Sequence, residues 1–178
     1  MPRLILLIGL PASGKSTLAQ CLIREGIGQY LISSDAIREQ LFGGEAVQGP
    51  WNLVWGEIQR QFRDAIEQIN QNPGQAGTAI YDATNAVRRN RRNAIDLART
   101  VGFSRVVALW LDSSVERCLE RNRARSRHVP DEVIWKMYRR LQAAPPSLSE
   151  KIDCLIHYPS LDIKPFNIPF SLISETTP

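Results

Sequence analysis

Gly9-Leu10-Pro11-Ala12-Ser13-Gly14-Lys15-Ser16-Thr17 follows an apolar run at residues 4–8 and leads into a helical pattern at residues 16–24. It is the full G-x-x-x-x-G-K-[ST] phosphate-binding pattern in the strand–loop–helix setting that the pattern requires. Each residue type has a chemical reason. Gly9 and Gly14 let the backbone turn tightly and approach phosphate oxygens. Pro11, Ala12 and Ser13 complete a loop whose amides point at the anion, together with the helix N-terminus at Ser16 and Thr17. Lys15 reaches the β- and γ-phosphates, and the Ser16 hydroxyl ligates Mg²⁺. The bland alternative is a glycine-rich turn before a helix, and it accounts for neither the whole motif nor its context.

Outward from this loop, five apolar runs read as strands, at residues 4–8, 30–33, 79–82, 106–111 and 154–158. Helical patterns separate them, at residues 16–24, 36–41, 51–69, 89–101, 115–125 and from Pro130 to Leu141. The third has Pro50 near its start and Asn72-Pro73-Gly74 at its end, Gly102 stops the fourth, and Ser113 or Ser114 caps the fifth. Alternation of this kind predicts an α/β fold with a mostly parallel sheet covered on both faces, and ligands at the carboxyl ends of the strands. Residues 159–178 read as an irregular tail with a short strand at 170–173.

The 178 residues suit one domain with a sizeable core. No apolar stretch is long enough to cross a bilayer, so no membrane association is expected. Cys21, Cys118 and Cys154 are scattered and odd in number, which fits a reducing, cytoplasmic setting better than a disulfide framework. Net charge is +4, and only four of the 22 basic residues are lysines. From Arg88 to Arg127 there are eleven arginines against four acids, a local field suited to a polyanionic ligand or, more plainly, a solvated basic face.

The residues after each strand carry the remaining chemistry. After the second comes Ser33-Ser34-Asp35-Ala36-Ile37-Arg38, which puts Asp35 and Arg38 on one helix face. A carboxylate there can take the proton of an attacking hydroxyl and orient it in line with a γ-phosphate, while Arg38 holds an anionic part of the acceptor. The competing reading is an ordinary ion pair in a first helical turn. After the third strand, Asp82 is placed either to help hold Mg²⁺ or, with Asn85, to cap the next helix. Arg88, Arg89, Arg91 and Arg92 then oppose the helix dipole, so contact with substrate phosphates or with carboxylates is needed to explain them. Arg121 and Arg125 share a helix face in an arginine-bearing segment at 121–130, which reads as a lid over a nucleotide or as a basic helix end. Trp51 and Trp55 fall on an apolar stripe and read as core, with base stacking as the other option.

The ordered set G-L-P-A-S-G-K-S-T, S-S-D-A-I-R, Y-D-A-T-N, R-N-R-A-R and V-P-D-E-V-I-W-K-M-Y-R-R-L resembles the bacteriophage-type 5′-hydroxyl polynucleotide kinases, within the AAA-type ATP-binding kinases. The resemblance implies a three-layer α/β/α sandwich with strand order 2-3-1-4-5 and a kinase domain over residues 1–158. It implies ATP and Mg²⁺ as ligands, with Lys15 and Ser16 at the phosphates and metal. Asp35 becomes the general base on the 5′-hydroxyl, Arg38 the contact to the phosphate on its 3′ side, and Arg121 and Arg125 the lid grip on the nucleotide. Arg88 is a further substrate-binding candidate. Related folds phosphorylate small hydroxyl compounds or aminoacylated transfer RNA with similar machinery, and fold does not fix the acceptor. A small-metabolite kinase and an ATP-binding regulatory module are the alternatives.

Overall fold

Strands form at all five apolar runs, and every adjacent pair is parallel. They are β1 (Arg3–Gly9), β2 (Tyr30–Ser33), β3 (Thr78–Asp82), β4 (Arg105–Leu111) and β5 (Cys154–Tyr158), in the order β2-β3-β1-β4-β5. The computed structural model describes residues 1–44, 49–72, 77–125 and 128–159. The expected tail, its strand at 170–173 and the Pro73-Gly74 stop lie outside the described residues.

Among the described residues, six α-helices connect the strands: α1 (Lys15–Arg24), α2 (Ser34–Phe42), α3 (Trp51–Gln71), α4 (Arg88–Val101), α5 (Val115–Arg123) and α6 (Asp131–Ala143). Two boundaries differ usefully from the sequence expectation. Ser33 caps α2, its hydroxyl accepting from Ala36 N at 3.3 Å, so the helix starts at Ser34 and Asp35 sits in its first turn. The α5 helix ends at Arg123 rather than at residue 125, which leaves Arg125 beyond the helix end. Ser114 is its N-cap, and Gly102 closes α4 at φ 117°, a conformation that favours glycine.

The sheet is sandwiched because β1 is apolar on both faces. Side chains alternate along a strand. Leu4, Leu6 and Ile8 therefore enter one core with Ile58, Phe62, Ile95 and Ile134, from helices α3, α4 and α6. Ile5 and Leu7 enter the other, with Ala19 and Leu22 of α1. All five of these strand residues are fully buried, and each such burial contributes about 1.5–3 kcal/mol. Strand order reverses direction around β1, which has β3 on one side and β4 on the other. The crevice at the carboxyl ends there is where open α/β sheets take ligands. No helix among the described residues is long and apolar enough to cross a membrane.

Candidate active site

A cleft of about 270 Å³ opens at this point, lined by the phosphate loop, the start of α2, the exit of β3 and residues of α3, α5 and α6. Its floor is the loop after β1. Gly9 is required by space, since a Cβ there would lie 2.7 Å from both Leu111 O and Ser13 Oγ. Gly14 adopts φ 100° as the residue before α1, and no side chain caps that helix. No acidic residue stands in the first turn of α1, so its amides are left to an anionic partner. Ala12 sits at φ 61°, a left-handed position costing a non-glycine residue about 1–3 kcal/mol and clustering at ligand clamps.

Lys15 is buried, and its Nζ donates to Leu10 O at 2.6 Å. Burial pulls its pKa down, while the carboxylates of Asp82 and Asp35 push it back up and Arg125 adds to the lowering. Lys15, Asp35, Asp82 and Arg125 all line the same cleft. Bound phosphate would favour the charged form of Lys15 in the same way.

Asp35 and Arg38 line the wall beside the loop. Arg38 Nη1 donates to Asp35 Oδ1 and to Ser34 O, both at 3.1 Å, and Arg38 Nε is buried with no hydrogen-bond partner among the described residues. An arginine held on one edge by a carboxylate, with a donor still unmet, is disposed toward an anion. Trp51 and Trp55 also line this wall. The core reading is therefore corrected for Trp51, whereas Trp55 packs against the buried core as well as lining the cleft. Trp51 is 44% exposed and stacks on Trp55 with ring centroids 6.2 Å apart, while Val54 and Ile58 carry the buried stripe of α3. A helix of 21 residues is about 31 Å long. It packs beside the four-residue β2, and Trp51 and Trp55 at its start line the cleft together with the phosphate loop.

The exit of β3 is fixed by Asn85 rather than capped by it. Asn85 Nδ2 donates to Leu7 O at 2.7 Å from a backbone at φ 48°, and Gly9 N donates to Thr84 O at 3.0 Å. The residue before α4 is Val87, and no side chain caps it, so the capping role considered for Asp82 and Asn85 falls away. Asp82 is 6% exposed and lines the cleft with Ser16. No group of three or more His, Cys, Asp or Glu among the described residues could hold a metal. One carboxylate and one hydroxyl suit a Mg²⁺ ligated mainly by phosphate oxygens and water.

Asn122, Arg125 and Val129 of the arginine-bearing segment also line the cleft. Asn122 is buried and pins Val129, donating to its carbonyl at 2.7 Å and accepting from its amide at 3.1 Å. That clamp joins the two ends of the segment; residues 126 and 127 lie outside the described residues. Arg125 lines the cleft, whereas Arg121 does not. Arg88 also stands outside the lining, half exposed, with its Nε 3.9 Å from Glu150. Gly9, Ser13 and Thr17 shape the loop without lining the cleft. Asn90, Asn122 and Arg140 line it without having been expected there. Arg140 carries no sequence signal beyond lying one turn past Met137 on the same helix face.

A family model described as an AAA domain matches residues 4–144. The chain belongs to this family of P-loop kinases. Such kinases use ATP, as a rule with Mg²⁺. Among curated proteins, it is similar to the L-seryl-tRNA(Sec) kinase of Methanococcus maripaludis, with 29% identity over 76% of this chain and 51% of that protein. Among solved structures, one chain of a Pnkp1/Rnl/Hen1 RNA repair complex superposes with TM-score 0.61 at 22% identity, covering 85% of this chain and 46% of that one. A gluconokinase from Sinorhizobium meliloti superposes with TM-score 0.58 at 17% identity, covering 97% and 90%. At these identities the superpositions show the fold, including the strand order expected from the sequence. The chain spans about half or less of the length of the curated relatives it matches.

Proposed function

We propose that this P-loop kinase transfers the γ-phosphate of ATP to the 5′-hydroxyl of a polynucleotide. The observation that carries the reading is the Asp35–Arg38 pair at the head of α2, on the same cleft as the phosphate loop. Asp35 accepts the proton of the attacking hydroxyl, whose oxygen bonds to the γ-phosphorus as the bond to the leaving ADP oxygen breaks. Lys15 and the α1 amides hold the phosphates in line, and Arg125 offsets charge that builds during transfer. Ser16 and Asp82 would hold Mg²⁺, which supplies charge neutralisation at the phosphate oxygens. The protein works in the cytoplasm, with residues 121–130 as a lid on a kinase unit at 1–158. Arg121 is assigned with Arg125 to the grip on the nucleotide.

Arginines favour a polyanionic acceptor over a small neutral alcohol. Arg38, Arg125 and Arg140 all face the cleft, and forked guanidinium–phosphate pairs are the strong form of such contacts. The test is transfer of radiolabelled γ-phosphate to 5′-hydroxyl DNA and RNA oligonucleotides beside a panel of small hydroxyl metabolites, at varied salt. For two phosphate contacts to a single strand, the acceptor KM is expected to rise about sevenfold between about 50 and 200 mM salt. Transfer to a neutral metabolite and to no oligonucleotide would overturn the reading in favour of a small-metabolite kinase. ATP hydrolysis with no acceptor labelled would favour a regulatory module.

A further inference from the structure

We propose that Trp51 and Trp55 form the seat for the base of the acceptor's 5′-terminal nucleotide. This inference rests on the polynucleotide reading above and names residues it does not use. Trp51 is among the largest apolar side chains of the fold, yet it is 44% exposed at the cleft and contributes nothing to the buried stripe of α3. Its indole is not loose. It stacks on Trp55 at 6.2 Å with 23° between the planes, and the Arg38 guanidinium carbon stands 5.9 Å from its ring centre. A pair of indoles held in place at a cleft wall is a prearranged aromatic surface.

The order of groups along this wall matches the order of groups in one nucleotide. Asp35 binds Arg38, and Arg38 reaches Trp51. In a 5′-terminal nucleotide, the 5′-oxygen, the 3′-phosphate and the base branch from one ribose. A carboxylate for the first, a guanidinium for the second and an indole for the third stand side by side here, in a cleft that also holds the phosphate loop. Every base has a π-face, so such a seat grips the end of a strand without selecting its sequence. An anionic sugar acid could use Arg38 but has no aromatic ring for the indoles.

The test pairs protein and substrate truncations in one cycle. Trp51→Ala, Trp51→Phe and Trp55→Ala are compared with the parent on a 5′-hydroxyl oligonucleotide and on the same strand with an abasic 5′-terminal residue. Trp51→Ala is expected to raise KM for the normal strand about tenfold, the scale of one base–aromatic stack. The KM for ATP should stay put. On the abasic strand the substitution should change KM by less than about twofold, since that strand has no terminal base to stack. Trp51→Phe should restore most of the loss, and Trp55→Ala should show a weaker form of the same pattern. Equal losses on both strands, or none on either, overturn the seat while leaving the polynucleotide reading intact. Failure of the parent to label any oligonucleotide overturns both.

Discussion

Asp35→Asn is expected to lower phosphoryl transfer by about 10²–10⁴-fold, the range a positioned general base contributes, and to leave ATP affinity near that of the parent. Asparagine keeps the shape of the side chain and an oxygen that can accept from Arg38, which now bonds Asp35 Oδ1 at 3.1 Å. It cannot take a proton from a hydroxyl at neutral pH. The wall of the cleft should therefore survive while the chemistry stops. Lys15→Ala is the contrasting variant. It removes the buried ammonium of the loop and should show its loss in ATP binding itself, read by nucleotide titration. Full transfer by Asp35→Asn would remove the base assignment and leave a nucleotide-binding fold whose acceptor chemistry lies elsewhere.

The split between these two variants follows the split in what the sequence could convey. The phosphate loop is legible because its constraints are local: Gly9 is confined by its neighbours, Gly14 by its φ of 100°, and Lys15 follows at the helix start. Strands and helices were legible for the same reason, through period and caps. Asp35 and Arg38 were legible as a pair one turn apart, and the register of Ser33 with Asp82 brings that turn beside the exit of β3. Trp51 misled, because helical spacing reports which face a residue occupies and not whether anything covers it there; Trp55 packs on the core as its spacing indicates and lines the cleft as well. Arg88, Arg89, Arg91 and Arg92 could be recognised as unexplained by helix stability, but their outcomes diverge. Arg91 is fully buried against Glu150, 59 residues away, whereas Arg88 stays half exposed at the edge of the same carboxylate. A contact of that sequence separation leaves no local trace.

That buried pair sets the second large expectation. Glu150→Ala should cost about 3–5 kcal/mol of stability, because it strands the Arg91 guanidinium away from water. Both side chains have zero exposure. Arg91 meets the carboxylate with two bonds, at 3.0 and 2.7 Å, and also donates to Asn85 O at 3.1 Å and Ala144 O at 2.8 Å. One guanidinium thereby ties α4 to the exit of β3, the end of α6 and the turn before β5. Against a total stability of about 5–15 kcal/mol, the loss is large, and at about 2–4 °C per kcal/mol it lowers Tm by roughly 6–20 °C. Combining Arg91→Met with Glu150→Leu should be milder than Glu150→Ala alone, since no charge is left buried. It should not restore the parent, because the carbonyls of Asn85 and Ala144 lose their donor, at about 1–3 kcal/mol if left unsatisfied. Urea unfolding of the parent, Glu150→Ala and the double variant checks the order. A Glu150→Ala loss under about 1 kcal/mol would show that water reaches the guanidinium and that the pair is not sealed. The same series bears on the cleft, since Asn85 both accepts from Arg91 and holds Leu7 behind the phosphate loop. A variant that keeps its fold but frees Asn85 should bind ATP more weakly at temperatures well below its Tm.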